Sequence, residues 1–385
     1  MSEKRLREHL ARLVEEGVFT SVVASVGSLE GPVWEAAAGE AGPGEPAGAE
    51  TLFDYASLTK PFVATLALAL DAEGELSLAT PVGAVWPGAH PDLAGRTLED
   101  LLRHRSGLAG WTPLYTRCRT PEEAVGLLLA GGDEGDLLGA PPGTYSDLGF
   151  VLWAATAERL SGALLAELVS ARVLRPLGLP HVVTAPGERP GLAKGVPVPV
   201  EYSGLAHSRM GTGMEVELAA QQGRQIADLG PPAPGRPQDG NARFLLAGGF
   251  GGGLCPHVGL FGRARDLRSL ALEWLRPGRL LDPEAVRRAV ESPAASTETV
   301  EASGAIGFHL GWWRPSPLEG GGGPAVSAAS FGHTGFAGGS LWADPEGPQG
   351  GSIYVLLGSR TDPSLDMNRW RREFHTFAAG LLNSV

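Results

Sequence analysis

The fold is decided by the run Phe53-Asp54-Tyr55-Ala56-Ser57-Leu58-Thr59-Lys60-Pro61-Phe62, which continues into the apolar segment 63–70. Residues 63–70 are apolar almost all round a helix, which predicts a buried helix. Pro61 fits only the first turn of that helix, because further along it would remove an internal hydrogen bond. Ser57 and Lys60 are therefore predicted at the helix N-terminus, one turn apart on the same face.

A serine and a lysine in this arrangement can form a nucleophile and its base. A serine hydroxyl attacks poorly until a base removes its proton. The positive end of the helix and burial both favour the neutral amine of Lys60. Only three of the 31 basic residues are lysines, at positions 4, 60 and 194. Because arginine stays charged at neutral pH, a lysine in an apolar place suggests that its proton can leave.

Two further segments carry polar residues in a recognisable order: Thr144-Tyr145-Ser146-Asp147 and Gly332-His333-Thr334-Gly335-Phe336. With Ser57-Leu58-Thr59-Lys60 they resemble the Ser-x-x-Lys, Tyr-x-Asn and Lys-Thr-Gly motifs of the penicillin-recognising serine hydrolases. The tyrosine is typical of the class C β-lactamase and family VIII esterase branch. Segments 101–108, 239–242 and 257–261 also resemble that family, so the resemblance covers nearly the whole chain.

The resemblance implies an α/β (α+β) protein of the β-lactamase/DD-peptidase-like fold. An antiparallel sheet is expected from both termini, flanked by helices, with an inserted, mostly helical region. We expect a sheet domain at 1–75 and 297–385 and a helical domain at 76–296, with the active site in the cleft between them. The sequence itself predicts strands at 21–27, 32–38, 307–314, 328–332, 339–343 and 352–357, helices at 97–103, 121–129, 150–160, 164–173 and 366–382, and loops at 40–50, 230–240, 247–253 and 320–323.

The resemblance also implies residue roles. Ser57 attacks a carbonyl, Lys60 and Tyr145 share the movement of its proton, and Tyr145 protonates the leaving group. Nearby cations are expected to make the Tyr145 phenol more acidic. The backbone N–H groups of Ser57 and Phe336 would form the oxyanion hole. Which of Lys60 and Tyr145 is the acylation base stays open.

The substrate-binding residues implied by the resemblance are Asp147, His333, Thr334 and Gly335, and two of them depart from the family motifs. His333 replaces a lysine that helps to hold a substrate carboxylate, and a histidine is expected to supply that charge only at lower pH. Asp147 replaces an asparagine, and its carboxylate is expected to pair with Lys60 and raise the lysine pKa. Both changes weaken the case for β-lactams.

Other chemistry-bearing residues have structural interpretations. His104 and Ser106 are expected to support the site rather than react, and His257 is expected to be a packed histidine. Cys118 and Cys255 are predicted to be reduced, because two cysteines in a chain of 385 residues do not form a disulfide scaffold. We predict no metal ion and no cofactor, and no Gly-x-Ser-x-Gly elbow occurs.

Composition restricts the partners. The net charge of −12 argues against nucleic acid or an anionic membrane surface. The N-terminal segment places Leu6, Leu10, Leu13 and Val14 at helical spacing before Gly17 and does not resemble a signal peptide, so a cytoplasmic location is expected. No stretch approaches 18 consecutive apolar residues. The expected partner is a small acyl ester or amide, and the oligomeric state stays open.

Three functions are consistent with these residues. The first is a carboxylesterase-like serine hydrolase that cleaves small acyl esters through an acyl-enzyme. The second is a β-lactamase or a D-amino-acid peptidase or amidase, against which His333, Asp147 and the lack of an export signal argue. The third is a non-catalytic binding protein on the same fold, against which the presence of Ser57, Lys60 and Tyr145 argues.

Overall fold

The computed structural model describes residues 2–141, 143–184, 235–237, 239–291, 307–315, 322–362 and 364–384. Its main sheet is formed by six strands: β1 Phe19–Ser28, β2 Val33–Gly42, β3 Glu45–Pro46, β7 Phe331–Thr334, β8 Ser340–Asp344 and β9 Ser352–Arg360. Neighbouring strands are antiparallel, and their order across the sheet is β3-β2-β1-β9-β8-β7. Strand β1 pairs with β9, so both ends of the chain build one sheet, and the predicted fold class is confirmed.

The sheet separates two hydrophobic cores. Side chains on a strand alternate between its two faces. Val22, Ala24 and Val26 of β1 accordingly pack with helix α1, Ser2–Glu15, on one side. Val23 packs on the other side, in the core that contains the central helix. Leu6, Leu10 and Leu13 of α1 are buried at the predicted helical spacing.

The central helix α2 spans Lys60–Glu73, and all its residues from Lys60 to Leu70 are buried. Pro61 lies in its first turn, as predicted. Ser57 lies at the N-terminus of this helix as predicted, in a 3₁₀ turn of residues 56–59 that runs directly into α2. It lies one turn before Lys60.

Twelve further α-helices lie in the described part of the chain. They are α3 Val82–Val85, α4 Pro91–Ala94, α5 Leu98–Leu102, α6 Leu114–Arg117, α7 Pro121–Ala130, α8 Asp147–Ser161, α9 Leu165–Val169, α10 Arg175–Leu177, α11 Gly240–Ala247, α12 Ala264–Leu275, α13 Pro283–Val290 and α14 Met367–Leu382. A small sheet with strand order β4-β6-β5 is formed by β4 Phe53–Asp54, β5 Val183–Thr184 and β6 Leu260–Gly262.

Two predicted strands differ from the structure. Residues 307–314 do not form a strand, because the chain turns at Gly311, which has a φ of +68°. Trp313 instead pairs with Gly332 through two backbone hydrogen bonds of 2.7 and 3.1 Å, which covers the outer edge of β7. The strand predicted at 328–332 begins three residues later, at Phe331.

Smaller corrections concern loops and helix ends. The predicted loop at 40–50 contains the end of β2 and all of β3. The helix predicted at 164–173 ends at Val169 and continues as a π-helical turn over residues 170–174. Residues 230–234, 238, 320 and 321 of the predicted loops, and the proposed domain boundary near 297, fall outside the described residues.

No single helix in the described ranges is both long enough and apolar enough to cross a membrane. Helix α8 and the segment Leu165–Leu177 reach the required length and composition only as a pair bent by 82°.

Candidate active site

The nucleophile candidate follows a strained residue. Ala56 has a φ of +47°, which costs a non-glycine residue roughly 1–3 kcal/mol and persists only where neighbours enforce it. Its N–H donates to Asp54 Oδ1 at 2.7 Å, and the N–H of Tyr55 donates to the Leu260 carbonyl at 2.9 Å. These bonds fix the 3₁₀ turn from which Ser57 reaches the cleft.

Lys60 is fully buried and contacts three groups. Its Nζ lies 3.0 Å from Ser57 Oγ, 3.0 Å from the His257 carbonyl oxygen and 2.7 Å from Asp147 Oδ1. A neutral amine has two N–H donors and one lone pair. In the structure Nζ donates to Ser57 Oγ and to the His257 carbonyl, and a neutral amine that keeps the carbonyl contact can turn its lone pair to the Ser57 hydroxyl proton.

Burial and charge act in opposite directions on Lys60. Burial lowers the lysine pKa, and the Asp147 carboxylate raises it by its charge and its hydrogen bond. The net effect lowers the pKa below its ordinary value, because burial is the larger influence. Asp147 pairs with Lys60, as expected from the sequence, but the pair raises the lysine pKa by less than burial lowers it.

The second motif lies at the start of α8. Ser146 is the N-cap residue, whose Oγ accepts from the Gly149 N–H at 3.3 Å and donates to the Ala109 carbonyl at 2.7 Å. The cap places Tyr145 just before the helix and Asp147 in its first turn. Tyr145 and Ser57 line one cleft, and the centre of the Tyr145 ring lies 4.8 Å from Lys60 Nζ.

The expected acidification of Tyr145 is wrong. Burial raises the pKa of its phenol well above the ordinary value, and the Asp147 charge raises it further, while the hydroxyl of Ser57 opposes them. The phenol therefore keeps its proton at neutral pH and can donate it.

His333, on β7, differs from the expectation in its protonation. It is buried, and its Nδ1 lies 2.8 Å from the Thr334 carbonyl oxygen. Burial, aided by the charge of Lys60, lowers the His333 pKa well below the ordinary value. The histidine is neutral at pH 6 as well as at pH 8, so it supplies no charge to an anionic substrate at either pH.

The chain after His333 passes close to the nucleophile. A Cβ atom on Gly335 would lie 2.7 Å from the Tyr55 carbonyl oxygen, so only glycine fits this approach. Thr334, Gly335 and Phe336 line the same cleft as Ser57. Phe336 is 38% exposed.

His104 contacts two residues of the second motif, Ser146 and Tyr145. Its Nδ1 accepts from the Ser146 N–H at 2.9 Å, and its ring lies 4.6 Å from that of Tyr145. Burial lowers its pKa to about 3, so it is neutral at physiological pH. Ser106 Oγ accepts from the Leu108 N–H at 3.2 Å. Both contacts agree with the structural roles expected for these residues.

Cys255 and His257 are both buried and contact each other, with 3.3 Å between Sγ and Nδ1. Both cysteines are free thiols, as predicted. Across the described ranges, no group of three His, Cys, Asp or Glu side chains could hold a metal ion.

The cleft has a volume of about 520 Å³. It is lined by several residues that the sequence analysis did not assign to the site: Asp54, Gly110, Trp111, Asp239, Val258, Trp313, Ala337, Arg360, Asn368 and Arg371. Asp239 belongs to segment 239–242, which resembles the family, whereas the two tryptophans, Asn368 and Arg371 carry no local signal. Arg371 is buried and donates to the Gly335 carbonyl at 2.6 Å, the Gly338 carbonyl at 3.4 Å and Asn368 Oδ1 at 2.9 Å.

Comparisons with known proteins identify relatives of this chain. The chain is 27% identical over 340 residues to an N-acetylmuramyl-L-alanine amidase of Bacillus subtilis, which covers 82% of this chain and 70% of that protein. It is 33% identical over 282 residues to esterase EstB of Burkholderia gladioli, covering 66% of this chain and 65% of that protein. A simvastatin synthase structure from Aspergillus terreus shares the fold, with a TM-score of 0.67 at 18% identity, over 100% of this chain and 98% of that chain.

A family model described as Beta-lactamase matches residues 6–376. All three motif segments lie inside that range, on one cleft of a shared fold. The chain belongs to the Beta-lactamase family of serine hydrolases, whose relatives include esterases, amidases and carboxypeptidases.

Proposed function

We propose that this protein is a carboxylesterase-like hydrolase that cleaves small acyl esters through an acyl-enzyme on Ser57. The observation that carries the proposal is the contact between Ser57 Oγ and the fully buried Lys60 Nζ at 3.0 Å. The active-site cleft is proposed to lie between a sheet domain at 1–75 and 297–385 and a helical domain at 76–296.

In acylation, Ser57 Oγ attacks the ester carbonyl carbon while its proton passes to Lys60 Nζ. The developing oxyanion would be held by the N–H groups of Ser57 and Phe336, each worth roughly 3–4 kcal/mol in the transition state. When the ester C–O bond breaks, Tyr145 gives its proton to the leaving alkoxide and regains one from Lys60. Water then attacks the acyl carbonyl carbon, and the protons move in the reverse order. The water gives a proton to Tyr145, Tyr145 gives one to Lys60, and Lys60 protonates Ser57 Oγ as its bond to the acyl carbon breaks. The carboxylic acid leaves and Ser57 is free again.

Lys60 is proposed as the acylation base and Tyr145 as the acid. Burial lowers the pKa of Lys60 and raises that of Tyr145, so one group can accept a proton and the other carries one. A pair of groups whose pKa values are pushed in opposite directions by their surroundings supports an assignment of base and acid.

A second candidate, a β-lactamase or D-amino-acid amidase, is favoured by the two arginines that line the cleft, Arg360 and Arg371. They could attract a substrate carboxylate. However, the three nitrogens of the Arg371 guanidinium already donate to protein oxygens, and the Arg360 guanidinium lies 3.8 Å from the Phe336 ring centroid. These contacts favour a structural role beside the proposed oxyanion hole, so the ester remains the preferred substrate.

Substrate choice gives the first prediction. We expect kcat/KM for p-nitrophenyl butyrate to exceed that for a chromogenic cephalosporin at both pH 6 and pH 8, because His333 is neutral at both. His333→Lys should narrow the gap by at most about tenfold, because His333 is fully buried and burial disfavours the charged ammonium of a lysine at that position.

The matched control is His333→Gln, which changes the side chain without adding charge and should leave the substrate ratio near that of the parent. If the parent enzyme prefers the cephalosporin at pH 8, the esterase proposal is wrong and the second candidate takes its place.

A further inference from the structure

The proposed oxyanion hole uses a peptide group in the short connection between β7 and β8. Gly335 supplies the carbonyl of that peptide, and Phe336 supplies its N–H. The Gly335 carbonyl accepts from the Gly338 N–H at 3.0 Å, and the Gly335 N–H donates to the Gly339 carbonyl at 2.9 Å. The connection is therefore a tight turn, and its orientation decides where the Phe336 N–H points.

Arg371 of α14 donates to both ends of this turn. Its Nη2 donates to the Gly335 carbonyl at 2.6 Å, and its Nε donates to the Gly338 carbonyl at 3.4 Å. Its Nη1 donates to Asn368 Oδ1 at 2.9 Å, one turn earlier in the same helix. Arg371 is buried, and its planar fork of N–H donors holds the turn at two points.

Peptide geometry carries the effect of this contact to the N–H. In a trans peptide the C=O and N–H bonds point in opposite directions, and none of the described peptide bonds is cis. Arg371 lies on the carbonyl side of the peptide between Gly335 and Phe336, so the N–H is directed away from the guanidinium. The same stretch packs against the 3₁₀ turn that carries Ser57, since a Cβ on Gly335 would lie 3.6 Å from the Ala56 side chain.

The guanidinium is positively charged at neutral pH, as arginine is throughout proteins. Burial, aided by the charge of Arg360, lowers the pKa of Arg371 to about 9, and the Asp366 carboxylate opposes them. The oxygens in its three contacts belong to two backbone carbonyls and an amide, all of them neutral. A charged donor on a carbonyl oxygen makes the N–H of the same peptide a stronger donor, because linked hydrogen bonds polarise one another.

We propose that Arg371 is a positioning residue that orients the Phe336 N–H toward the substrate oxyanion and strengthens it as a hydrogen-bond donor. The proposal rests on the function proposed above, in which this N–H stabilises the oxyanion formed when Ser57 attacks. Arg371 acts through the peptide group and not by touching the ester. Its loss should therefore lower kcat and leave KM nearly unchanged.

The test compares p-nitrophenyl butyrate with its thionoester, in which sulfur replaces the carbonyl oxygen. Sulfur is a weak hydrogen-bond acceptor, so the ester-to-thionoester ratio of kcat/KM measures the contribution of the oxyanion donors. In Arg371→Met this ratio should fall by about tenfold, which is part of the roughly 10²–10³-fold contribution of one such donor. Arg371→Lys keeps a charged donor, so its ratio should fall by about threefold or less.

Arg103→Met is the matched control. Arg103 is another buried arginine that donates to two backbone carbonyls, those of Arg288 at 2.9 Å and Ala289 at 3.1 Å, and it is not among the residues that line the cleft. Its loss should lower the melting temperature and leave the ester-to-thionoester ratio unchanged. If Arg371→Met does not fold, Arg371→Gln replaces it, because glutamine keeps a polar group without the charge. Its ratio should fall further than that of Arg371→Lys.

The two proposals fail in different ways. An unchanged ratio in Arg371→Met, or an equal fall in Arg103→Met or Arg371→Lys, overturns the role of Arg371 alone. A loss confined to the chromogenic cephalosporin also overturns that role, because Arg371 would then bind a substrate carboxylate. Absence of ester turnover and of Ser57 labelling in the parent overturns the proposed function, and the role of Arg371 with it.

Discussion

Ser57→Ala is expected to lower kcat/KM for p-nitrophenyl butyrate by at least about 10⁴-fold, because removing a nucleophile stops the covalent pathway and leaves only binding and oxyanion stabilisation. The fold should survive. Ser57 is half-buried, and the substitution removes one hydroxyl group whose partner is Lys60. The free energy of unfolding should therefore change by no more than about 1 kcal/mol, measured by urea denaturation.

Ser106→Ala is the control for this loss. Ser106 is a buried serine near the site whose hydroxyl accepts from a backbone N–H, so its loss should reduce activity by less than about tenfold through local loosening. Comparable losses in both variants would mean that the large effect at Ser57 reflects structure and not nucleophilic attack.

Lys60→Arg is expected to be nearly as damaging as Lys60→Ala, with a loss in kcat/KM of about 10²–10⁴-fold for each. An arginine keeps its charge at all working pH values and cannot accept the Ser57 proton. Lys60 is also fully buried, so a guanidinium must fit where the lysine has three partners within 3.0 Å. Steady-state rates for the two variants, with their melting temperatures, provide the measurement.

Lys4→Arg is the matched control, because the Lys4 side chain is 81% exposed and lies in α1, outside the cleft. It should retain the parent's activity. If Lys60→Arg keeps more than about a tenth of the parent's kcat/KM, equivalent to roughly 1.4 kcal/mol of barrier, the lysine acts only as a charge and the base must be sought elsewhere.

Local rules predicted the part of the site that lies within one segment. Pro61 restricts the start of α2, and the three-residue spacing brings Ser57 and Lys60 together, as the 3.0 Å contact shows. The meeting of this segment with Tyr145 and with Gly335 could be expected only from the family resemblance. No spacing rule connects residues that are more than 80 positions apart.

Protonation states were less predictable than positions. The sequence suggested an acidic Tyr145 and a titrating His333, whereas burial raises the pKa of the first and lowers that of the second. Burial depends on which elements cover a side chain. Trp313, for example, covers the edge of β7 only because Gly311 turns the chain, and that turn broke the predicted strand.

The arginine contacts beside the proposed oxyanion hole could not be predicted from the sequence either. Arg371 reaches the Gly335 carbonyl from α14, a helix that follows the last strand of the sheet, and Asn368 lies one turn before it. Their residue types are common on exposed helices, and nothing near them in the sequence indicates a buried guanidinium. Only the packing of α14 against the sheet brings them to the cleft.

The central claim, that Ser57 is the nucleophile, is tested most directly by labelling the protein with a fluorophosphonate and locating the adduct by peptide mass spectrometry. The account predicts one adduct per chain, on Ser57, formed more slowly in Lys60→Ala and absent in Ser57→Ala. An adduct on another serine, in a protein that hydrolyses esters, would contradict it.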